Sequence, residues 1–249
     1  MIDIHNHILP GVDDGAQDSS ESIAMLQMAQ ADGIELIVAT PHHFPIVRQD
    51  PSSYASRLRD QIAEKSRTKI TVRLGQEIAI SEDVPRGLLD RKLLSFEQSQ
   101  YVLIELPFFD YPDWVDGVLA EICRDGFTPI IAHPERNTEV QKDPNIITAI
   151  REKGMLTQIN AGSLLGHFGD AANETAIKLL ETESVDVIAS DAHSAHGFRL
   201  PVLSDALELA GRITGFSQVE RMVSETPRAI IEGRSLREDV GTKSDSSAV

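Results

Sequence analysis

Short apolar runs rich in β-branched residues recur along this chain, and helical patterns separate most of them. The seven runs are Ile2 to Ile4, Ile34 to Ala39, Ile70 to Leu74, Tyr101 to Leu106, Thr128 to Ala132, Met155 to Ile159 and Val185 to Ala189. Helical periodicity marks Ser19 to Ala31 behind a Ser/Asp cap, Pro51 to Ser66 behind its proline, Asp143 to Lys153, and Asp170 to Glu183. A helix from Pro201 to Ile213 and the segment Gln218 to Gly233 complete the pattern. Such alternation predicts an α/β fold with a parallel sheet, either closed as a (β/α) barrel or open and doubly wound. No repeat or Pro/Ser-rich linker interrupts residues 1–234, which read as a single domain, and the polar stretch 235–249 reads as a disordered tail.

Charge and cysteine usage narrow the setting. With 23 Lys+Arg against 39 Asp+Glu the net charge is −16, and no local basic stripe offsets it, which argues against a nucleic-acid partner. The single cysteine, Cys123, has no internal disulfide partner, and the first residues lack a signal-peptide pattern, so a cytoplasmic location is expected. No apolar run approaches the roughly 20 residues that span a bilayer, so membrane insertion is not expected.

Metal-capable side chains collect at the C-terminal ends of the expected strands, the edge where α/β folds build their sites. His5 and His7 lie two apart, so strand geometry puts both on one side. His42 and His43 follow the second strand, and either would reach the same edge. Glu77 follows the third, and Glu105 stands inside an otherwise apolar run. A buried acid of this kind needs a cationic partner, either a metal or an arginine. His133 ends the fifth strand, Asn160 the sixth, and Asp191 with His193 the seventh. Successive positions fall 27 to 35 residues apart, the length of one βα unit. At least seven potential ligands exceed the needs of one cation, so two or three bridged by carboxylate are expected, as in a multinuclear hydrolase.

These residues resemble the polymerase and histidinol phosphatase (PHP) superfamily of metal-dependent phosphoesterases, whose fold is a distorted seven-stranded (β/α) barrel. The opening Met1-Ile2-Asp3-Ile4-His5-Asn6-His7-Ile8-Leu9-Pro10-Gly11-Val12-Asp13-Asp14-Gly15 is similar to the bacterial protein-tyrosine phosphatases of capsule and exopolysaccharide operons. So are Thr40-Pro41-His42-His43, Gln76-Glu77-Ile78, Ile131-Ala132-His133-Pro134-Glu135-Arg136 and Ser190-Asp191-Ala192-His193, and the likeness spans roughly residues 1–232. The resemblance implies metal ligation by His5, His7, Asp14, His42, Glu77, Glu105, His133, Asp191 and His193. It also implies phosphate binding by Arg136 and by Arg199, the latter one residue farther from Asp191 than the family pattern expects. Asp14 and Glu105 stand where relatives of the histidinol phosphatase type often carry histidine, which favours the tyrosine-phosphatase branch.

The expected activity is hydrolysis of phosphotyrosine by metal-activated water, without a phospho-enzyme. Manganese is the first expectation for the cation, with iron, zinc, cobalt or magnesium as alternatives. Cys123, in the helical stretch Ala120 to Arg124, lacks the phosphate-binding loop of a cysteine phosphatase. Phe108, Phe109, Tyr111 and Trp114 are placed to grip a phenyl ring, to pack the core or to form an oligomer contact, and His167 and His196 lie in loops that line a cleft or simply face solvent. The resemblance implies a tyrosine autokinase of polysaccharide synthesis as the phosphorylated partner. The alternatives are a histidinol-phosphate or other small phosphoester hydrolase on the same scaffold, and a non-catalytic metal-binding regulatory module.

Overall fold

A computed structural model describes residues 1–42, 51–97 and 99–236. His43 and residues 237–249, most of the expected tail, lie outside them. Every expected strand run contains a strand: β1 Ile2–Asn6, β2 Leu36–Ala39, β3 Thr71–Leu74, β5 Tyr101–Glu105, β6 Thr128–Ala132, β7 Leu156–Asn160 and β8 Val187–Ala189. An eighth, β4 Glu77–Ala79, was not expected. Strand pairing is parallel throughout, in a three-stranded sheet β1-β2-β3 and a five-stranded sheet β4-β5-β6-β7-β8.

β3 and β4 are two halves of one extended stretch, broken at Gly75-Gln76 so that the chain leaves the first sheet and joins the second. A side chain at Gly75 would collide with the Phe96 ring, so the break is built around a missing Cβ. Isolated parallel bridges connect the sheets at Asn6–Ala192 and His42–Glu77. Backbone hydrogen bonds cross the same seams: His7 N–H to Ala192 O (2.8 Å), Asp191 N–H to His5 O (2.9 Å) and Glu77 N–H to Pro41 O (3.1 Å).

Continuous apolar runs suit strands covered on both faces. One face contributes Ile2, Ile4, Val38, Leu103, Ile130 and Val187 to a single cluster drawn from both sheets. The other meets helices whose apolar sides complete a larger core, including Leu119 and Ile122 of the helix Trp114–Arg124, and Leu179 and Leu180 of the helix Asp170–Glu181. The helices Ser19–Ala31 and Pro51–Ser66 match their expected bounds. Asp18 caps the first of these, accepting from the Ser20 and Glu21 amides. The expected segment Gln218 to Gly233 is made of Phe216–Glu220, a π turn at Arg221–Glu225, and Thr226–Ile231.

Register matters most in β1. Asp3 pairs with Ile37 but Asn6 pairs with Ala39, so β1 carries one extra residue there. Ile2 and Ile4 join the inner cluster; simple alternation would then turn His5 and His7 to the opposite face. The slipped register restores them to the inner side.

Candidate metal centre

At the C-terminal edge of both sheets, carboxylate oxygens and imidazole nitrogens form three overlapping groups. His5, His7, Glu77 and Asp191 make a fully buried one; His7, Asp14, His42 and His193 make a second; His42, Glu77 and Glu105 make a third. Within each group the potential ligand atoms lie within 4.8 Å of one another. His133 joins through Glu77, its Nε2 lying 2.8 Å from Glu77 Oε1 and 3.7 Å from Glu105 Oε1. All nine expected ligands therefore converge.

Glu77 is the hub. Its Oε2 lies 3.2 Å from His5 Nε2, 3.1 Å from His7 Nε2 and 3.1 Å from His42 Nδ1, yet it is buried and makes no hydrogen bond. His193 Nε2 is likewise buried without a hydrogen-bond partner. Unsatisfied buried polar atoms are rare and costly, and two within one cluster of imidazoles and carboxylates suit a cation.

The ring orientations fit the same purpose. His5 Nδ1 donates to Gln158 Oε1 (2.9 Å), His7 Nδ1 to Asp13 Oδ2 (2.8 Å) and His193 Nδ1 to the Asp191 carbonyl (3.0 Å). Each bond commits Nδ1 and turns Nε2 toward the cluster, the arrangement that orients metal-binding histidines. The Gln158 amide is itself oriented, since its Nε2 donates to Asn160 Oδ1 at 2.8 Å. Asp13 and Gln158 were not expected from the sequence. Asp13, next to the expected Asp14, also accepts from the His42 amide (3.0 Å) and the Gly15 amide (2.9 Å).

Backbone strain contributes to the placement. His133 (φ 28°) and Asp191 (φ 51°) adopt left-handed conformations immediately beyond β6 and near the end of β8. A non-glycine residue held this way costs about 1 kcal/mol or more and concentrates at functional sites.

Electrostatics sort the acids. Burial opposes ionisation of Glu77, but the charge of His5, the hydrogen bond from His133 and the close approach of the His5 and His7 imidazoles prevail and hold it well below the usual carboxylate range. Burial likewise opposes ionisation of Asp191, where His5, His133 and Arg199 prevail and lower its pKa. Glu105 moves the other way, raised by burial and by the charge of Glu77. Burial pushes the His7 imidazole down, but Asp13 and Glu77 outweigh it and raise the pKa to about 10. His193 is lowered to about 3 by burial and by His7. In the absence of a cation, neighbouring imidazoles are thus forced into opposite protonation states.

Both expected arginines reach the cluster. Arg136, in the 3₁₀ turn Pro134–Arg136, places a guanidinium nitrogen 3.3 Å from Asp191 Oδ2. Arg199 places one 2.8 Å from Asp191 Oδ1. The loop before Arg199 folds back, with the His193 amide donating to the Arg199 carbonyl at 3.0 Å.

The expected aromatic group divides. Phe108 lies parallel to the His133 ring (centroids 6.0 Å apart, 8° between planes), and Phe109, 83% exposed, lines a cleft of about 320 Å³ with Phe108, Arg136 and Phe168. Tyr111 donates to Asp116 Oδ1 at 3.3 Å and packs against the core. Trp114 begins the helix Trp114–Arg124 and lines neither cleft beside the cluster. His196 lines a cleft of about 270 Å³ with Asp14, His193 and Arg199, whereas His167 donates to the Phe198 carbonyl at 3.1 Å. A larger cavity, about 510 Å³, opens at the other end of the strands. Its Arg151 and Asp186 side chains are paired with each other at 2.7 Å, and it gathers no comparable set of imidazoles and acids.

Comparison with known proteins bears on this geometry. A family model described as capsular polysaccharide synthesis, CpsB/CapC, matches residues 1–232. The tyrosine-protein phosphatase YwqE of Bacillus subtilis is 40% identical over 197 residues, 78% of each chain. The tyrosine-protein phosphatase CpsB of Streptococcus pneumoniae is 29% identical over 240 residues, 93% of this chain and 98% of the other. A solved chain from a structural study of YwqE and CpsB, described there as unique metal-dependent tyrosine phosphatases, superposes with a TM-score of 0.88. It is 36% identical, and the match covers 94% of this chain and 96% of that one. The lactonase Lmo2620 of Listeria monocytogenes shares the fold at 12% identity, with a TM-score of 0.60.

Proposed function

The chain belongs to the CpsB/CapC family of capsular polysaccharide synthesis, and from that premise we propose that it is a metal-dependent protein-tyrosine phosphatase. The observation that carries the reading is the meeting of three imidazole nitrogens on the unbonded Glu77 Oε2, with two guanidiniums on Asp191 beside it. His5, His7, Asp14, His42, Glu77, Glu105, His133, Asp191 and His193 would hold two or three divalent cations, with manganese first among the candidates. Mixed nitrogen and oxygen donors suit manganese, iron, zinc or cobalt, and magnesium less well. The two sheets, bridged at both seams, are read as one distorted barrel.

When bound, the cations supply Lewis acidity toward phosphoryl oxygens and lower the pKa of water. The protein supplies orientation. Asp13, Gln158 and the Asp191 carbonyl hold three imidazoles with Nε2 inward. Arg136 and Arg199 offer planar forks for the non-bridging oxygens of the phosphoryl group. The cleft between Phe108, Phe109 and Phe168 offers apolar walls to an aryl leaving group. A phenol, with a pKa of about 10, leaves more readily than a serine alcohol and asks less of a general acid. Cys123 sits in the last turn of the helix Trp114–Arg124, whose C-terminal end returns toward the start of β6 and away from the cluster. No cysteinyl phosphate is therefore formed in this reading.

The proposed partner is a tyrosine-phosphorylated protein, in particular an autokinase of polysaccharide assembly, and the proposed setting is the cytoplasm. Among the described residues no helix is long and apolar enough to cross a membrane. The test is to strip the protein with chelator, restore Mn²⁺ in steps, and measure phosphate release from a phosphotyrosyl peptide beside its phosphoseryl counterpart. Metal-dependent preference for phosphotyrosine supports the proposal. Failure to cleave either peptide at any metal level rejects it and moves the search to small phosphoesters such as histidinol phosphate. Full activity of His5→Ala at saturating metal rejects the metal mechanism.

A further inference from the structure

Phe168 carries no group that hydrolysis would use, yet it lies against both arginines. It occupies the loop between the helices Ala161–Leu164 and Asp170–Glu181 and is half buried. Its ring centre is 4.5 Å from the guanidinium carbon of Arg136 and 5.9 Å from that of Arg199. Phe108 approaches Arg136 at 4.7 Å, so that guanidinium has two aromatic neighbours. Phe198 meets the Phe168 ring edge-on, with centroids 5.9 Å apart and 78° between planes. Gly162 leaves the room: a Cβ there would stand 2.9 Å from the Phe168 ring edge.

The two guanidiniums come from separate elements, one after β6 and one after β8, and converge on the two oxygens of one carboxylate. Like charges brought together repel, and long side chains lose rotamer freedom when held. An aromatic face counters both, because its quadrupole attracts cations and its flat surface restricts a planar fork. We propose that Phe168 is a positioning residue, a shared aromatic seat that keeps Arg136 and Arg199 at the spacing that lets both engage one phosphoryl group. The proposal rests on the phosphatase reading above, in which these arginines take the phosphoryl oxygens.

The test uses full-length, metal-loaded protein and the variants Phe168→Leu, which removes the π face, Phe168→Tyr, which retains it, and Gly162→Ala, which crowds the ring from below. Binding of inorganic phosphate is measured by equilibrium dialysis, beside kcat and KM on a phosphotyrosyl peptide, bound metal and thermal midpoint. Two cation–π contacts at a partly exposed site predict phosphate binding about three- to ten-fold weaker in Phe168→Leu. A comparable fall in kcat and unchanged metal content are expected with it. Phe168→Tyr should match the wild type, and Gly162→Ala should fall between. Phosphate affinity within about two-fold of wild type in both Phe168→Leu and Gly162→Ala overturns the proposal, and so does Phe168→Tyr as impaired as Phe168→Leu. Should Phe168→Leu fail to fold, Gly162→Ala and Phe168→Tyr decide between the same outcomes. A wild-type protein that binds phosphate in a Phe168-dependent way but hydrolyses no phosphotyrosine leaves the positioning role standing and rejects the activity. A wild-type protein that binds no phosphate rejects the positioning role, while its turnover of the phosphotyrosyl peptide decides the activity separately.

Discussion

Replacing Asp13 with asparagine isolates the orientation of one ligand from ligation itself. The Asp13 carboxylate accepts three hydrogen bonds: His7 Nδ1 and the His42 amide on Oδ2, and the Gly15 amide on Oδ1. An asparagine has one acceptor oxygen and must turn its NH₂ toward one of these donors. The better arrangement keeps oxygen toward His7 and His42 and sets NH₂ against the Gly15 N–H, losing one bond and the charge on another. Loss of a carboxylate partner behind a metal-binding histidine typically weakens metal affinity 10- to 100-fold, about 1.4 to 2.7 kcal/mol. Manganese affinity of Asp13→Asn, measured by chelator competition, should fall within that range, while excess metal restores most of kcat. The pH dependence should change as well. Metal must displace the His7 proton, so wild-type affinity should climb with pH up to about 10. Without the Asp13 charge the His7 pKa falls and the climb between pH 7 and 10 becomes shallower. Affinity and slope both unchanged would refute the orienting role of Asp13.

Three further outcomes follow from the same geometry. Stripped of metal, the protein has two imidazoles shifted in opposite senses, His7 raised to about 10 and His193 lowered to about 3. The His7 contribution is complete below pH 6.5 and lost on the way to 10, and that of His193 is lost as pH falls from 6.5 toward 3, so urea midpoints should peak near 6.5. A midpoint rising steadily from pH 7 to 10 would contradict this. Glu77→Gln removes the charge shared by His5, His7 and His42 and should lower kcat more than about 100-fold while the cation content per chain drops, as read by elemental analysis. Wild-type metal content in that variant would count against the hub role. Gly75→Ala sets a Cβ into the Phe96 ring and should cost about 1 to 3 kcal/mol in urea unfolding with an unchanged m-value. An unaltered midpoint would mean that the break between β3 and β4 is held by something else.

The strands were legible because parallel strands covered on both faces leave continuous apolar runs, as in Tyr101–Glu105 and Thr128–Ala132. Apart from Asp14, which only the family resemblance suggested, the residues that converge were legible because one βα unit separates successive strand exits. β4 escaped notice since three residues, one of them the polar hub Glu77, carry no period. Division into two sheets depends on pairing between distant segments, which no local pattern encodes. Asp13 and Asp14 are neighbours of the same type, and only the turn at Gly15 separates their roles. A Cβ at Gly15 would collide with the His7 carbonyl. The slipped register in β1 was equally invisible, because Ile-Asp-Ile-His-Asn-His reads as plain alternation. Phe168 drew no attention because half-buried phenylalanines are common, and its meaning comes from Arg136 and Arg199, which are distant in sequence.

The seams between the sheets have a bearing on how the protein opens. His5, His7 and His42 come from the first sheet and its exits, while Glu77, Glu105, His133 and Asp191 come from the second. A cation held by both sets would act as a clasp across the line where each seam is joined by an isolated bridge and a few backbone hydrogen bonds. Amide hydrogen exchange should therefore be most sensitive to chelation not in the apolar strands but at the His7, Glu77 and Asp191 amides, which cross that line. Loss of metal would then surface first as local parting of two halves, and a protease that cuts near the seam would report metal loading as faithfully as turnover does.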